Sequence, residues 1–290
     1  MAPAAKESDL LYVSNVNGLV SVYNYSKRTL VGVLTNFAKP LGACSNTASD
    51  VFIVDYQNEN VSEYAHGAAK PIKTLSDSPY TPAGCSVAPP SGNLAVANAP
   101  YGSYSEGNIA IYSHDSGPPT ILSGDEYNDH FTDCAYDDSG NLLATSTYGN
   151  YNNYTHFYYL PKDGTKLVEM DLSAPGQTSG WEFVQGVLWD GKYWGVLSYD
   201  RLYRFTINVT GSYVDTVTLS GGAVAGPPAI YRKDYKGSGT QLVGANGGGG
   251  SSGETAAVNY WNYPAGGSPV DDITKYLDQP FGVAISLGPQ

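Results

Sequence analysis

PAGCSVAPPSGNLAVANAPYGSYSEGNIAIY, Pro82–Tyr112, carries the pattern that organises this chain. It opens on Pro-x-Gly and a short run of small and apolar residues. It turns at Gly92-Asn93, continues as an apolar strand ending in Asn98, crosses a polar loop and resumes as a second apolar strand. Short apolar runs joined by Gly-bearing turns read as antiparallel neighbours. Variants of the phrase recur along the whole chain. Aligned on the third position of Pro-x-Gly they fall at Gly42, Gly84, Asp133, Gly186, Pro228 and Gly282, with spacings of 42, 49, 53, 42 and 54 residues. A propeller blade of four strands needs roughly 40–50 residues. Six copies in 290 residues therefore predict an all-β fold, a six-bladed β-propeller with four-stranded antiparallel blades. It forms one domain over residues 10–290, behind an N-terminal tail over residues 1–9.

The two ends of the chain complement each other. Gln279–Ser286 (QPFGVAIS) is an innermost strand with nothing after it, and Leu10–Asn15 (LLYVSN) is a second strand with nothing before it. Pairing them closes the ring and removes two exposed sheet edges. No stretch has a capped 3.6-residue apolar period, so helix is expected to be scarce.

Composition narrows the partners. The chain has 15 Lys+Arg against 27 Asp+Glu, and only 14% of it is charged. Without a basic stripe, nucleic acid and anionic membrane surfaces are poor partners. No apolar run is long enough to span a bilayer. Polarity resting on Ser, Thr, Asn, Gly and Tyr, together with Ala-Pro-Ala-Ala after Met1, reads as a secreted or cell-surface protein whose signal has been removed. Cys44, Cys85 and Cys134 fall at one apparent slot of three successive innermost strands, where Val187 and Val283 stand elsewhere. They are expected as small buried thiols rather than a disulfide framework, and three of them allow one pair at most.

The face carrying the loops into each innermost strand, at the mouth of the channel, holds the candidate sites. The second strands end there on Asn15, Asp55, Asn98, Ser146, Ser198 and Asn246. Asp55, Asn98 and Asn246 are weak candidates for holding Ca²⁺ or Mg²⁺, cations that prefer oxygen ligands. The same residue types also begin Asx-turns at strand ends. The acidic loop before Cys134 and the next such loop place Asp129, His130, Asp133 and Glu182 on this face. A histidine beside carboxylates suits a general base or a metal ligand. Two adjoining loops, Ala99–Gly107 and Ser146–His156, supply Tyr101, Tyr104, Tyr148, Tyr151 and Tyr154 among Gly, Ser and Asn, and Trp181 lies in the loop that follows. Stiff tyrosines among adaptable polar residues form the mixture found in binding loops.

PAGCSVAPPSGNLAVAN (82–98) and QPFGVAIS (279–286) resemble the repeat of NHL-type six-bladed propellers of exported bacterial proteins. The likeness is strongest in the second, third and closing blades. It implies the same architecture and a binding or scaffolding role. Lactonases of this architecture hold a divalent metal through a Glu, Asn and Asp set that has no counterpart here, and the His-rich sites of propeller lyases are missing from a chain with 4 His. The first expectation is thus a binding or scaffold module acting through its loop face. Its partner is a protein, a glycan or a second copy of itself, the last giving a filament or array. The alternative is a metal-dependent hydrolase with its site at the channel mouth.

Overall fold

A computed structural model describes residues 1–100, 106–124, 129–148, 154–177, 180–208, 210–221, 224–231, 240–247 and 255–289. These residues form six antiparallel sheets. Blade 1 orders Pro280–Ser286, Leu10–Asn15, Leu19–Asn24 and Thr29–Leu34 from the channel outward. The innermost strands of blades 2 to 6 are Pro40–Ser45, Pro82–Val87, Asp129–Tyr136, Val184–Trp189 and Ala229–Tyr231. The ring closes as the chain ends require, with Leu10 opposite Ser286, Leu11 opposite Ile285 and Val13 opposite Val283. The only helical segment among the described residues is a single 3-10 turn, Pro3–Glu7. Residues 1–9 are packed rather than loose: Ala5 is buried, and Ala2 N donates to Val31 O on the outer strand of blade 1. No described helix is long and apolar enough to cross a membrane.

The Pro-x-Gly phrase has a structural cause. In blades 1 to 5 the pairing of first and second strands shifts register where the phrase stands, as between Pro40 and Ala43 or Pro82 and Gly84. Such a bulge tolerates proline and bends the innermost strand. Past the bulge these strands crowd one another. A Cβ on Gly42 would lie 2.6 Å from Ala83 O, and one on Gly84 would lie 2.9 Å from Asp133 Cα. Glycine is required there because the neighbouring backbone occupies the side-chain position. Two blades depart from glycine at this position, blade 4 with Asp133 and blade 6 with Pro228. The Asp133 carboxylate is buried and accepts from Val187 N of blade 5 at 2.9 Å. Burial pushes its pKa up to about 8.

Six apolar clusters fill the six seams between adjacent blades. Phe52, Val54, Val96 and Tyr112 join blades 2 and 3, and Ala95, Ile109, Phe131 and Tyr158 join blades 3 and 4. Fully burying one such side chain contributes about 1.5–3 kcal/mol. The seam between blades 6 and 1, where the chain ends meet, adds an aromatic clamp. Tyr25 stacks on Tyr231 at 4.0 Å, and the Arg28 guanidinium lies 3.7 Å from the Tyr260 ring centroid while pairing with Asp271 at 2.8 Å.

One sequence expectation is corrected here. Cys44 and Cys85 form a disulfide, with their Cα atoms 5.7 Å apart. The three cysteines do not share one slot. Cys85 lies opposite Val96 and Cys134 opposite Ala144, at equal depth in their blades, and Ala43 opposite Ile53 fills that slot in blade 2. Cys44 is one residue further along, the counterpart of Ser86. Side chains alternate faces along a strand. That single step turns Cys44 forward into the seam, where Cys85 of the next blade faces back. Cys134, buried and free, faces back into the following seam, its thiol raised in pKa by burial.

Candidate binding face

Blades 1 to 5 each meet the channel mouth through two rim positions. One is the residue just before the innermost strand, or before its bulge in blade 4. The other follows the Asn, Asp or Ser near the end of the second strand. Backbone bonds join Tyr56 N to Lys39 O, Ala99 N to Thr81 O and Val16 N to Gln279 O. His130 stands opposite Thr147, and in blade 5 Phe183 and Tyr199 fill the two positions with ring centroids 5.4 Å apart. In blade 2 the Lys39 ammonium lies 4.8 Å from the centre of the Tyr56 ring. Blades 2 and 5 are three apart in a ring of six, so these two pairs face each other across the mouth.

This face carries exposed aromatic side chains in an unusual backbone state, two on the rim and Tyr276 in the loop leading to the closing strand. Phe183 is 56% exposed, Tyr199 51% and Tyr276 69%. All three sit at positive φ, 51°, 55° and 60°. For a bulky residue that conformation costs on the order of 1–3 kcal/mol and persists only where the surroundings impose it. Those surroundings are the residues that end the second strands. Asp55 accepts from Ala38 N at 2.9 Å, Lys39 N at 2.8 Å and Asn58 Nδ2 at 2.7 Å. Asn15 Oδ1 accepts from Asp278 N, and Ser198 Oγ donates to Glu182 O at 3.0 Å. Asn98 Nδ2 donates to Asn108 Oδ1, and Ser146 Oγ donates to Asp129 Oδ1. Buried Asn and Asp thus hold the loops that shape the rim. Asp55 and Asn98 are turned into their blades rather than presented to the channel as a cation cage, while Asn246 ends the corresponding strand of blade 6, half-buried.

The other candidate residues are dispersed. Asp129 accepts from Ser146 Oγ and from Tyr158 OH, both at 2.6 Å. Asp133 lies in the channel, bonded to Val187 N. His130 is on the rim of blade 4 and Glu182 is exposed beside blade 5. Among the described residues no group of three or more His, Cys, Asp or Glu could hold a metal ion. Trp181 is a core residue, not a contact residue. It is 4% exposed, its Nε1 donates to Leu172 O at 2.6 Å, and its ring meets Phe157 and Tyr203 edge-on. The reason is a two-residue strand, Trp181–Glu182, that pairs with Tyr154 and Thr155 and tucks the indole beneath the loop. Tyr154 is exposed, its ring in the space a side chain on Gly180 would need. Tyr148 ends the second strand of blade 4. Tyr101, Tyr104 and Tyr151 lie outside the described residues.

The rim residues Phe183 and Tyr199 were missed in the sequence, whereas the loop before the closing strand had already placed Tyr276 on this face. For Phe183 a signal was present, since the position before the innermost strand can be counted back from the Pro-x-Gly position of each blade.

No family model matches the sequence, and no curated protein matches it. Solved structures match the fold. A chain in the structure titled as a nidogen/laminin complex superposes with a TM-score of 0.72 at 12% identity, over 98% of this chain and 100% of that one. A protein of unknown function from Bacteroides caccae gives 0.68 at 10% identity, over 97% and 99%. The β-propeller domain of Cps50 (Swd1) from Myceliophteria thermophila gives 0.59 at 10% identity, over 95% and 86%. At these identities the likeness is one of fold.

Proposed function

We propose that this chain is an exported binding module that receives a protein partner across its channel mouth. The observation that carries the reading is the set of exposed aromatic residues held at positive φ on one face, Phe183, Tyr199 and Tyr276. Aromatic side chains dominate the buried centres of protein interfaces. Backbone strain kept at a surface is an outlier of the kind that clusters at binding sites. The Lys39–Tyr56 pair on the facing blade adds a cation to the same rim. The disulfide supports an oxidising compartment, and so secretion or display at a cell surface. The structural neighbour solved as a nidogen/laminin complex shows the fold within a protein complex. The NHL-type assignment is part of this reading and rests on the Pro-x-Gly phrase. The Tyr-rich loops 99–107 and 146–156 extend the proposed surface.

The test is capture of extracellular proteins on the intact chain, with the contact mapped by hydrogen exchange. Asn tolerates positive φ, so Phe183→Asn and Tyr276→Asn remove the rings without adding strain. Both substitutions together are expected to weaken capture at least about tenfold, a loss of about 1.4 kcal/mol. Lys162→Ala, in a loop on the opposite face, is expected to leave capture unchanged. Protection confined to that opposite face, or capture indifferent to the rim substitutions, would overturn the reading. Sedimentation of the protein alone tests whether the partner is a second copy.

A further inference from the structure

Outside the rim, on the flank of blade 5, a cleft of about 780 Å³ is lined by Gln177, Gln185, Tyr199, Asp200, Arg201 and Tyr203. Small-molecule sites span roughly 300–1,000 Å³. The floor is formed by buried Leu219 and Tyr203. Gln177 Nε2 donates to Tyr203 OH at 3.2 Å, and Gln185 Oε1 accepts from Tyr199 N at 2.9 Å. The Gln185 amide therefore keeps both N–H donors without a bonded partner among the described residues. Asp200 and Arg201 approach to 3.8 Å with side chains 56% and 53% exposed, so the lining carries one charge of each sign. The Tyr199 ring stands half exposed at the cleft edge, backed by Phe183.

We propose that this cleft binds a neutral saccharide. A pyranose ring offers an apolar C–H face and an edge of hydroxyls that both donate and accept. Tyr199 supplies a stiff flat surface with a π face for the first. Amide, carboxylate and guanidinium groups supply planar donors and acceptors for the second. The balanced charge disfavours an anionic ligand, since the attraction of Arg201 is offset by Asp200 beside it. The small apolar floor disfavours a hydrophobic peptide anchor, which needs a deep dry pocket. The central channel is a poorer candidate. Its lining includes Val87, Ala135, Leu188 and Val283, and its one buried acid, Asp133, is already bonded to backbone. The cleft shares Tyr199 with the proposed protein-binding face, and free oligosaccharides, with Gln185→Glu and Tyr276→Asn as separate variants, distinguish the two readings.

The experiment titrates the whole protein with neutral gluco-, manno-, galacto- and N-acetylglucosamine oligosaccharides of two to four units, read by saturation-transfer NMR and calorimetry. At least one is expected to bind at millimolar concentration or better. Tyr199→Asn should weaken it at least about tenfold, as aromatic contact is lost while positive φ is tolerated. Gln185→Glu keeps the acceptor for Tyr199 N and removes the free donors, so it should also weaken binding while the melting temperature holds. Tyr276→Asn should change nothing. No transfer from any sugar at 10 mM (roughly the weakest affinity worth assigning to a site) would overturn the proposal. So would binding indifferent to Tyr199→Asn and Gln185→Glu, or tighter binding of a sulfated sugar than of its neutral parent.

Discussion

The seam between blades 2 and 3 and the seam between blades 3 and 4 are built on one plan and held in two ways. In each, an innermost strand presents one side chain forward and its neighbour presents one back. The first seam pairs Cys44 with Cys85 in a disulfide. The second sets Ser86 against the strand carrying Cys134, and Ser86 Oγ accepts from Tyr136 N at 2.9 Å. The difference is one atom type at the forward position. It shows that covalent closure of a propeller seam depends on which face a residue occupies, and not on cysteines merely recurring along the chain.

The largest test removes the bond that distinguishes the first seam. Cys44→Ser frees a crosslink between residues separated by 41 positions. Loss of such a loop constraint costs about 3 kcal/mol, which for a chain of this size lowers the melting temperature by roughly 5–10 °C in calorimetry. Reductant should bring the wild-type protein down to the level of the variant. Equal melting with and without reductant would show that packing alone holds the seam.

The next test concerns Asp133, beside Gly84 in the second seam. Its folded pKa, raised to about 8, lies above the unfolded value of about 3.9. The folded state therefore holds a proton that the unfolded chain releases. The contribution of this group to stability is complete below pH about 4, declines as pH rises and is lost above about 8. Asp133→Asn keeps an oxygen for Val187 N and removes the charge. Its melting temperature should gain on wild type steadily as pH rises from about 4 to about 8 and level off above that. A constant gap across that range would refute the burial argument.

Ser86→Cys should convert the second seam into a copy of the first. A bridge to Cys134 is expected to form on oxidation, and the count of titratable thiols falls to none. The gain is smaller than a full disulfide, about 1–2 kcal/mol, because the bond from Tyr136 N is given up. A peptide map still showing free Cys134 would mean that the seams differ in geometry as well as in chemistry. The smallest effect belongs to Cys134→Val. Valine already fills this slot at Val187 and Val283, so the change should stay within about 1 kcal/mol. A larger loss would give the thiol a role beyond filling space.

How much was legible follows from these residues. The blades and the meeting of the chain ends could be read because Pro-x-Gly, Gly-bearing turns and alternating strands are local signals with a fixed length. The offset of Cys44 was also written in the sequence, since PLGAC has one residue more between Gly and Cys than PAGC. Its consequence could not be read, because it depends on a neighbouring blade 41 residues away. Trp181 failed for the same reason. Its surroundings in the chain are those of a surface loop, and only its pairing with Tyr154 and Thr155 buries it.

The sequence by itself determined the six-bladed all-β architecture, its closure and the acidic, weakly charged surface, because repeat length, turn chemistry and composition are properties of the chain read in order. The tertiary structure alone decided which cysteines bond, which backbone groups the strand-end Asn and Asp hold, and that Phe183 and Tyr199 pair at the channel mouth. Those outcomes depend on which face of a strand meets the adjacent blade. Contacts between blades join residues some 40 or more positions apart, a distance at which no local pattern carries information.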